Sequence, residues 1–237
     1  MKANNLQCYF DYVFNDISLY RQLVFEKLIL HIKGGVVADV GCGSVGWYWA
    51  LGYIDRIDRL TFIDVNKNFL DLLERVLQKI SPEWVCNNIE STVTYIQKIG
   101  CNLENATVAI HTKPINYKVM SISSVRTHNK YDYVLAVESL KVVKTQKEFE
   151  HNLQTIFSSL KSGGTLLFSI LPYDEGTVDS IMEAQNSKLE GELNPDYSMV
   201  KDALKKVKFK IQLLESIKIP EHNYSNAIFG RVIKPKL

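Results

Sequence analysis

Hydrophobic positions in the first part of the chain recur at helical spacing. From Tyr9 to Ile32 the apolar residues fall every third or fourth position, which predicts one or two amphipathic helices. Gly34 and Gly35 can end this helical region. The residues from Val36 to Val40 are mostly apolar and β-branched, and a glycine cluster follows them. This pattern is typical of a buried parallel strand.

Short apolar runs and helical patterns then alternate along the chain. After a helix predicted over 45–53, the run from Leu60 to Ile63 ends on Asp64, so that strand, helix and strand form a parallel crossover unit. Asn66 or Asn68 is expected to cap the next helix. Further strands are predicted over 131–137, 165–171, 209–217 and 227–233, and further helices over 146–160, from Val178, and over 198–206. A short polar loop joins the last two strands, which can therefore pair antiparallel.

The segment from Ser81 to Asn129 has no single period. Thr92 to Ile99, Ala106 to Ile110 and Tyr117 to Ile122 are each candidates for strands. No internal repeat and no linker divides the chain. We therefore expect one α/β domain over residues 1–237.

The charge balance argues against a large polyanionic partner. The chain has 28 Lys and Arg against 26 Asp and Glu, a formal net charge of +2, which does not provide the basic surface that nucleic acid requires. The cysteines are dispersed, so neither a metal site nor a disulfide framework is expected. No apolar run has the length of a signal peptide or of a membrane span. We expect a cytoplasmic protein without membrane contact, and the sequence leaves its oligomeric state open.

The segment from Asp39 to Gly46 carries the main chemical signal. Gly41, Gly43 and Gly46 follow the first strand and satisfy GxGxxG, a spacing also found in dinucleotide-binding folds. Asp39, however, would face a pyrophosphate unfavourably. S-adenosylmethionine carries an ammonium and a sulfonium and no phosphate, so the acid fits that ligand better. Asp39 could instead cap the following turn.

Asp64 lies one crossover step after Asp39, at the end of the second strand. A carboxylate there can accept hydrogen bonds from both ribose hydroxyls of a nucleoside. This role serves NAD and a methyl donor equally, so Asp64 indicates a nucleoside and not a particular cofactor. The alternative is that Asp64 caps the next helix.

Four phrases of the chain occur in a recognisable order and spacing: Val-Ala-Asp-Val-Gly-Cys-Gly, Phe-Ile-Asp, Tyr-Asp-Tyr-Val-Leu and Leu-Lys-Ser-Gly-Gly-Thr-Leu-Leu. This series, from Val36 to Leu171, resembles the motifs of class I S-adenosylmethionine-dependent methyltransferases. The resemblance implies a Rossmann-like fold with a seven-stranded, mostly parallel sheet, an antiparallel last strand and helices on both faces. It also implies that residues 1–33 form a helical lid.

A narrower resemblance is to nicotinamide and related amine N-methyltransferases. It depends on the segments 43–49, 64–68 and 84–100 and on the aromatic N-terminal helix. It implies that tyrosines of that helix close over the substrate and that Tyr48 or Trp47 borders the methionine end of the cofactor. The glycine loop here has one more residue than in that family. Where the family has an acid after the third strand, this chain has serines.

These patterns give a set of candidate site residues. The cofactor contacts are assigned to Asp39, Gly41, Cys42, Gly43, Tyr48, Asp64, Val65, Ser121, Ser123 and Val137. The substrate contacts are assigned to Tyr9, Tyr12, Tyr173 and Asp174, and the catalytic roles to Glu138 and Tyr20. Glu138 follows a strand end, where it could orient an amine or accept its proton, or simply cap a helix. The aromatic side chains could equally be core residues.

Methyl transfer depends mainly on holding the nucleophile in line with the methyl group and excluding water. An amine has only to be neutral, whereas a hydroxyl usually needs a base or a metal. We therefore expect a small-molecule methyl acceptor, an amine or a nitrogen heterocycle. The alternatives are an O-methyltransferase, a non-catalytic protein that binds S-adenosylmethionine or a partner protein, and, more remotely, a dinucleotide-dependent oxidoreductase.

Overall fold

One sheet contains all seven strands of the described residues. A computed structural model describes residues 18–171, 193, 195–220 and 226–236. The strands are β1 (Val36–Val40), β2 (Arg59–Asp64), β3 (Ile115–Val119), β4 (Tyr131–Val137), β5 (Leu160–Ile170), β6 (Lys210–Lys218) and β7 (Asn226–Ile233). Their order is β3-β2-β1-β4-β5-β7-β6 in a 7-stranded sheet. Only β7 runs against its neighbours. The predicted mostly parallel sheet with an antiparallel last strand is confirmed.

Helices cover both faces of this sheet, as predicted. They are α1 (Leu19–Lys27), α2 (Gly46–Ala50), α3 (Lys67–Lys79), α4 (Pro82–Asn88), α5 (Glu90–Lys98), α6 (Leu103–Thr112), α7 (Gln146–Ser159) and α8 (Tyr197–Lys206). Helices α1 to α6 pack with Val37 and Phe62 on one face, and α7 and α8 pack with Ala38 and Ile63 on the other. Successive strand residues thus point to opposite faces, and each face has its own apolar core.

Most helices begin at a polar side chain that accepts a hydrogen bond from the first turn, which explains why they start where they do. The capping residues are Ser18, Asn66, Ser81, Asn102, Thr145 and Asp196. Of the two asparagines proposed for α3, Asn66 is the cap, because its side chain accepts from the backbone N–H of Asn68 at 3.0 Å.

Two of the three candidate strands between Ser81 and Asn129 are helical in the structure, so these two candidates are wrong. Thr92 to Ile99 lies mostly in α5, and Ala106 to Ile110 lies in α6. The β-branched side chains of α5 suggested a strand, but its buried residues Thr92, Val93 and Ile96 lie on one helical face against the core. The third candidate, Tyr117 to Ile122, overlaps β3, which begins two positions earlier, at Ile115.

Strand β5 begins at Leu160, earlier than the predicted Thr165. The additional residues form a bulge opposite β4, where the register shifts between Tyr131 and Tyr133, and Gly163 has a φ of +80°. The helical stretch predicted from Val178 and the part of the N-terminal helix before Ser18 lie outside the described residues.

The strand order reverses between β1 and β4, so the chain leaves these two neighbouring strands toward opposite faces. Such a switch point opens a crevice at the carboxyl ends of the strands, where α/β proteins bind their ligands. Asp39, near the end of β1, and Glu138, directly after β4, are therefore on either side of the crevice.

Candidate active site

The turn after β1 brings backbone, not side chains, to the crevice. Gly41 has a φ of +64°, its N–H donates to the carbonyl of Ile63 at 2.7 Å, and a Cβ here would lie 2.3 Å from that of Ser139. Gly43 has a φ of +56°, but a Cβ there would meet nothing within 4 Å. Glycine is thus required at Gly41 by packing, whereas at Gly43 it leaves an open approach to the backbone.

Asp64 fixes the geometry of two loops beside this turn. Its carboxylate accepts hydrogen bonds from the backbone N–H of Gly43 at 2.9 Å and of Asn66 at 2.8 Å, one on each oxygen. Each carboxylate oxygen has a second lone pair, so Asp64 can accept further hydrogen bonds from a ligand. The alternative role of Asp64, as the N-cap of α3, is not observed, because Asn66 is the N-cap.

Asp39 is a buried carboxyl group without a counter-charge in the described structure. It is 1% exposed, and its Oδ2 atom accepts no hydrogen bond from any described residue. Burial, and then the neighbouring Asp64 carboxylate, raise the pKa of Asp39 well above its usual range. Burial also raises the pKa of the Cys42 thiol, with Asp39 adding to the effect. The group is therefore poised to gain from a cation that binds beside it.

The ends of β4 and β5 hold a second polar cluster. The Tyr20 hydroxyl lies 2.7 Å from Oγ of Ser169, with which it shares a hydrogen bond. Burial, and then the charge of Glu138, raise the pKa of Tyr20 well above 10, so it stays a neutral hydroxyl. Glu138 lies beside it, with its N–H bonded to the Ser169 carbonyl at 3.0 Å and Oε2 3.3 Å from Nζ of Lys141. The structure thus brings the two predicted catalytic residues together.

Other predicted residues lie in several settings. The Tyr48 ring is buried beside Phe25 and Trp49, with its hydroxyl on Thr92, so it belongs to the aromatic core in this structure. Val65 is 67% exposed after the end of β2, and Val137 is half-buried at the end of β4.

The serines predicted to replace the family's acid follow β3. Ser121 is half-buried and Ser123 is exposed, and their Oγ atoms lie 2.7 Å apart. The residues predicted to contact substrate, Tyr9, Tyr12, Tyr173 and Asp174, lie outside the described residues.

Sequence reasoning missed two polar residues of the second cluster, Ser169 and Lys141. Ser169 is embedded in an apolar strand, and Lys141 follows Glu138 in a segment without periodicity. The sequence signal that could have indicated Lys141 was its spacing of three positions from Glu138, an opposite charge just after a strand end. Such a pair is common on protein surfaces and does not by itself indicate a site.

Within the described ranges, no helix combines the length and the apolar character that crossing a membrane requires. Nor do three His, Cys, Asp or Glu side chains in that part of the chain come together as candidate metal ligands.

Comparison with known proteins identifies the fold. No family model and no curated protein matches the chain. Among solved structures, an S-adenosylmethionine-dependent methyltransferase from Methanosarcina mazei aligns over 93% of this chain and 100% of its own, with a TM-score of 0.58 and 16% identity. The N-methyltransferase NodS from Bradyrhizobium japonicum, in complex with S-adenosyl-L-homocysteine, aligns over 93% of this chain and 90% of its own, with a TM-score of 0.58 and 11% identity.

The chain thus has the Rossmann-like fold of class I S-adenosylmethionine-dependent methyltransferases, as its motifs predicted. The cyclase SpnF is similar to the same extent, with a TM-score of 0.58 and 15% identity over 91% of this chain and 80% of its own. Because one fold accommodates different reactions, the activity has to be argued from the site.

Proposed function

We propose that this protein transfers a methyl group from S-adenosylmethionine to a small-molecule amine or nitrogen heterocycle. The observation that carries the proposal is Asp39, a buried carboxyl group whose Oδ2 has no partner among the described residues and whose neighbouring charge is a second carboxylate. An unpaired buried acid is costly to maintain and becomes favourable when a cation pairs with it. A cationic ligand without phosphate meets that requirement.

The residues at the β1 and β2 ends fit S-adenosylmethionine. Asp39 would pair with the ammonium of its methionine part, and Gly43 leaves room for close approach to the backbone. Asp64 keeps free lone pairs on both oxygens, which would accept the ribose hydroxyls. A dinucleotide would instead bring a pyrophosphate toward Asp39, and the two negative charges would repel each other.

Other cofactor contacts are proposed around this centre. Cys42 belongs to the same turn, and Val65, Ser121, Ser123 and Val137 follow or end the neighbouring strands, where a nucleoside would extend. Tyr48 would reach the cofactor only if its ring left the aromatic core.

When bound, S-adenosylmethionine supplies a methyl group on a sulfonium leaving group. The protein then has to orient the acceptor, exclude water and take up a proton. Glu138, whose side chain is 36% exposed, can accept the proton that an amine loses. Tyr20 remains a hydroxyl, so it can share a hydrogen bond with the acceptor nitrogen if the acceptor replaces Ser169 as its partner.

A calorimetric titration tests the cofactor part of the proposal. S-adenosylmethionine and S-adenosyl-L-homocysteine should bind, while NAD and NADP should give no heat. Binding of NAD without binding of S-adenosyl-L-homocysteine would contradict the proposal and favour an oxidoreductase.

Turnover against matched panels of amines and phenols tests the acceptor. Methylated amines are the expected products. Methylated phenols alone would identify an O-methyltransferase. Cofactor binding with no product from either panel would favour a non-catalytic binding protein or, as in SpnF, a different reaction on the same fold.

A further inference from the structure

Lys141 is a buried cation in the loop after β4. Its side chain is 6% exposed, and its ammonium donates to the carbonyl of Leu171 at 2.6 Å and lies 3.3 Å from Oε2 of Glu138. An ammonium group removed from water is destabilising unless polar partners replace its hydration. These two partners of Lys141, among its contacts, are at the ends of neighbouring strands, because Leu171 follows β5 and Glu138 follows β4.

Glu138 itself has an unusual backbone conformation. Its φ is +58°, in the left-handed region that non-glycine residues rarely adopt. Such a conformation persists only where surrounding contacts fix it, and it is often found at functional sites. Two of these contacts are the hydrogen bond from its N–H to the carbonyl of Ser169 and the ion pair with Lys141.

The two contacts act on different parts of Glu138. The bond to Ser169 fixes the backbone, and Ser169 also holds the Tyr20 hydroxyl at 2.7 Å. Lys141 contacts the carboxylate. Glu138 is far more exposed than Lys141, so the carboxylate stays accessible to a ligand while the ammonium beside it is buried.

We propose that Lys141 is the positioning residue for Glu138. Its ammonium holds the carboxylate at the β4 end, next to the Tyr20 hydroxyl, in the orientation that receives the methyl acceptor. This inference rests on the proposed function, in which Glu138 accepts the proton. A purely structural role would require Lys141 only to satisfy acceptors such as the Leu171 carbonyl, without any effect on Glu138.

Two neutral variants separate these roles. Lys141→Gln keeps a donor for the Leu171 carbonyl and removes the charge, whereas Lys141→Met removes both. Lys141→Arg keeps the charge, and Lys147→Met, at an exposed position of α7, is the matched control. Each change is made in the wild-type and in the Glu138→Gln background. Crystal structures, acceptor kcat and KM, and the affinity for S-adenosyl-L-homocysteine are determined for each protein.

We expect the Glu138 carboxylate to leave its position in Lys141→Gln and Lys141→Met and to keep it in Lys141→Arg. Contacting charges usually couple strongly, so kcat should fall by about tenfold or more in the neutral variants. Affinity for S-adenosyl-L-homocysteine should not change. In the Glu138→Gln background the neutral variants should cause no further loss of kcat.

An unmoved Glu138 carboxylate in Lys141→Gln would overturn the proposal. So would an equal loss of kcat in both backgrounds, because Lys141 would then act without Glu138. If the wild-type protein methylates no acceptor, the proposed function fails, and the position of Glu138 in the crystal structures still decides the role of Lys141.

Discussion

The two ends of the crevice place carboxylates in opposite electrostatic settings. At the β1 and β2 ends, the charge that acts on Asp39 is a second carboxylate, and no salt bridge among the described residues includes Asp39 or Asp64. At the β4 and β5 ends, Glu138 has its own cation in Lys141. The first region therefore has acids that the proposed cationic ligand would pair, whereas the second is neutralised by the protein itself.

The two regions share a left-handed backbone conformation but use it differently. Gly43 and Glu138 both have left-handed conformations, with φ of +56° and +58°. At Gly43 the missing side chain leaves open space for a ligand, and at Glu138 the same conformation carries a charged side chain that lies beside Lys141 and Tyr20. Gly41 links the two regions, because only a glycine fits against Ser139 in the loop after β4.

The largest effect is expected when the carboxylate of Asp39 is removed from the first region. Asp39→Asn should weaken S-adenosylmethionine binding by about 2–5 kcal/mol, the usual loss when one partner of a buried charge pair is removed. Calorimetry on the purified proteins measures it. Asp202→Asn, at an exposed position of α8, should bind like the wild type. Equal affinity of Asp39→Asn and wild type would show that no cation of the ligand pairs with Asp39. The electrostatic difference between the two regions would then have no role in binding.

A smaller effect is expected at the neighbouring strand end. Asp64→Ala removes the acceptor for the ribose hydroxyls, and each lost charge-assisted hydrogen bond typically costs about 1.5–3 kcal/mol, so affinity should fall roughly tenfold or more. The N–H groups of Gly43 and Asn66 also lose their acceptor, so the melting temperature should fall as well.

Asp64→Asn keeps one acceptor oxygen and should have an intermediate affinity for the cofactor. A folded Asp64→Ala protein with undiminished affinity would show that Asp64 only orders the two loops. The first region would then depend on Asp39 alone.

The first region was largely predictable because its signals are local in sequence. A β-branched run, a glycine cluster and an acid one crossover step later predicted β1, the turn and β2, and the resemblance added a seven-stranded, mostly parallel sheet with an antiparallel last strand. Segments such as α5 were not predictable by periodicity, since their β-branched residues also suit a strand. The segment is a helix because its apolar residues pack on the core from one helical face.

The second region depends on contacts between residues far apart in the chain. Tyr20 and Ser169 are separated by 149 positions, and Lys141 contacts the carbonyl that follows β5. Glu138 and Tyr20 were each predicted from position and composition, but nothing in the sequence indicated that they meet. The resemblance also assigned Tyr48 to the cofactor, and its burial among aromatic rings leaves that role a prediction.

The smallest expected effect concerns stability and pH. Burial and Asp64 raise the pKa of Asp39 in the folded protein, while the unfolded chain has an ordinary carboxyl group. Between these two values the folded state binds more protons, so the free energy of unfolding falls as pH rises through that interval. The cost of ionising Asp39 is absent below the ordinary carboxyl pKa and fully present above the raised one.

Asp39→Asn cannot ionise, so it should become more stable relative to the wild type as pH rises from 4 to 8, even though it binds the cofactor less well. For a chain of this size each kcal/mol gained raises the melting temperature by about 2–4 °C. Urea unfolding of both proteins across this pH range measures the difference. Glu138→Gln is the comparison from the second region, and it should not gain stability, because its carboxylate is already paired with Lys141. A constant difference between Asp39→Asn and wild type at every pH would mean that Asp39 ionises as freely in the folded protein as in the unfolded chain, and the contrast between the two regions would be lost.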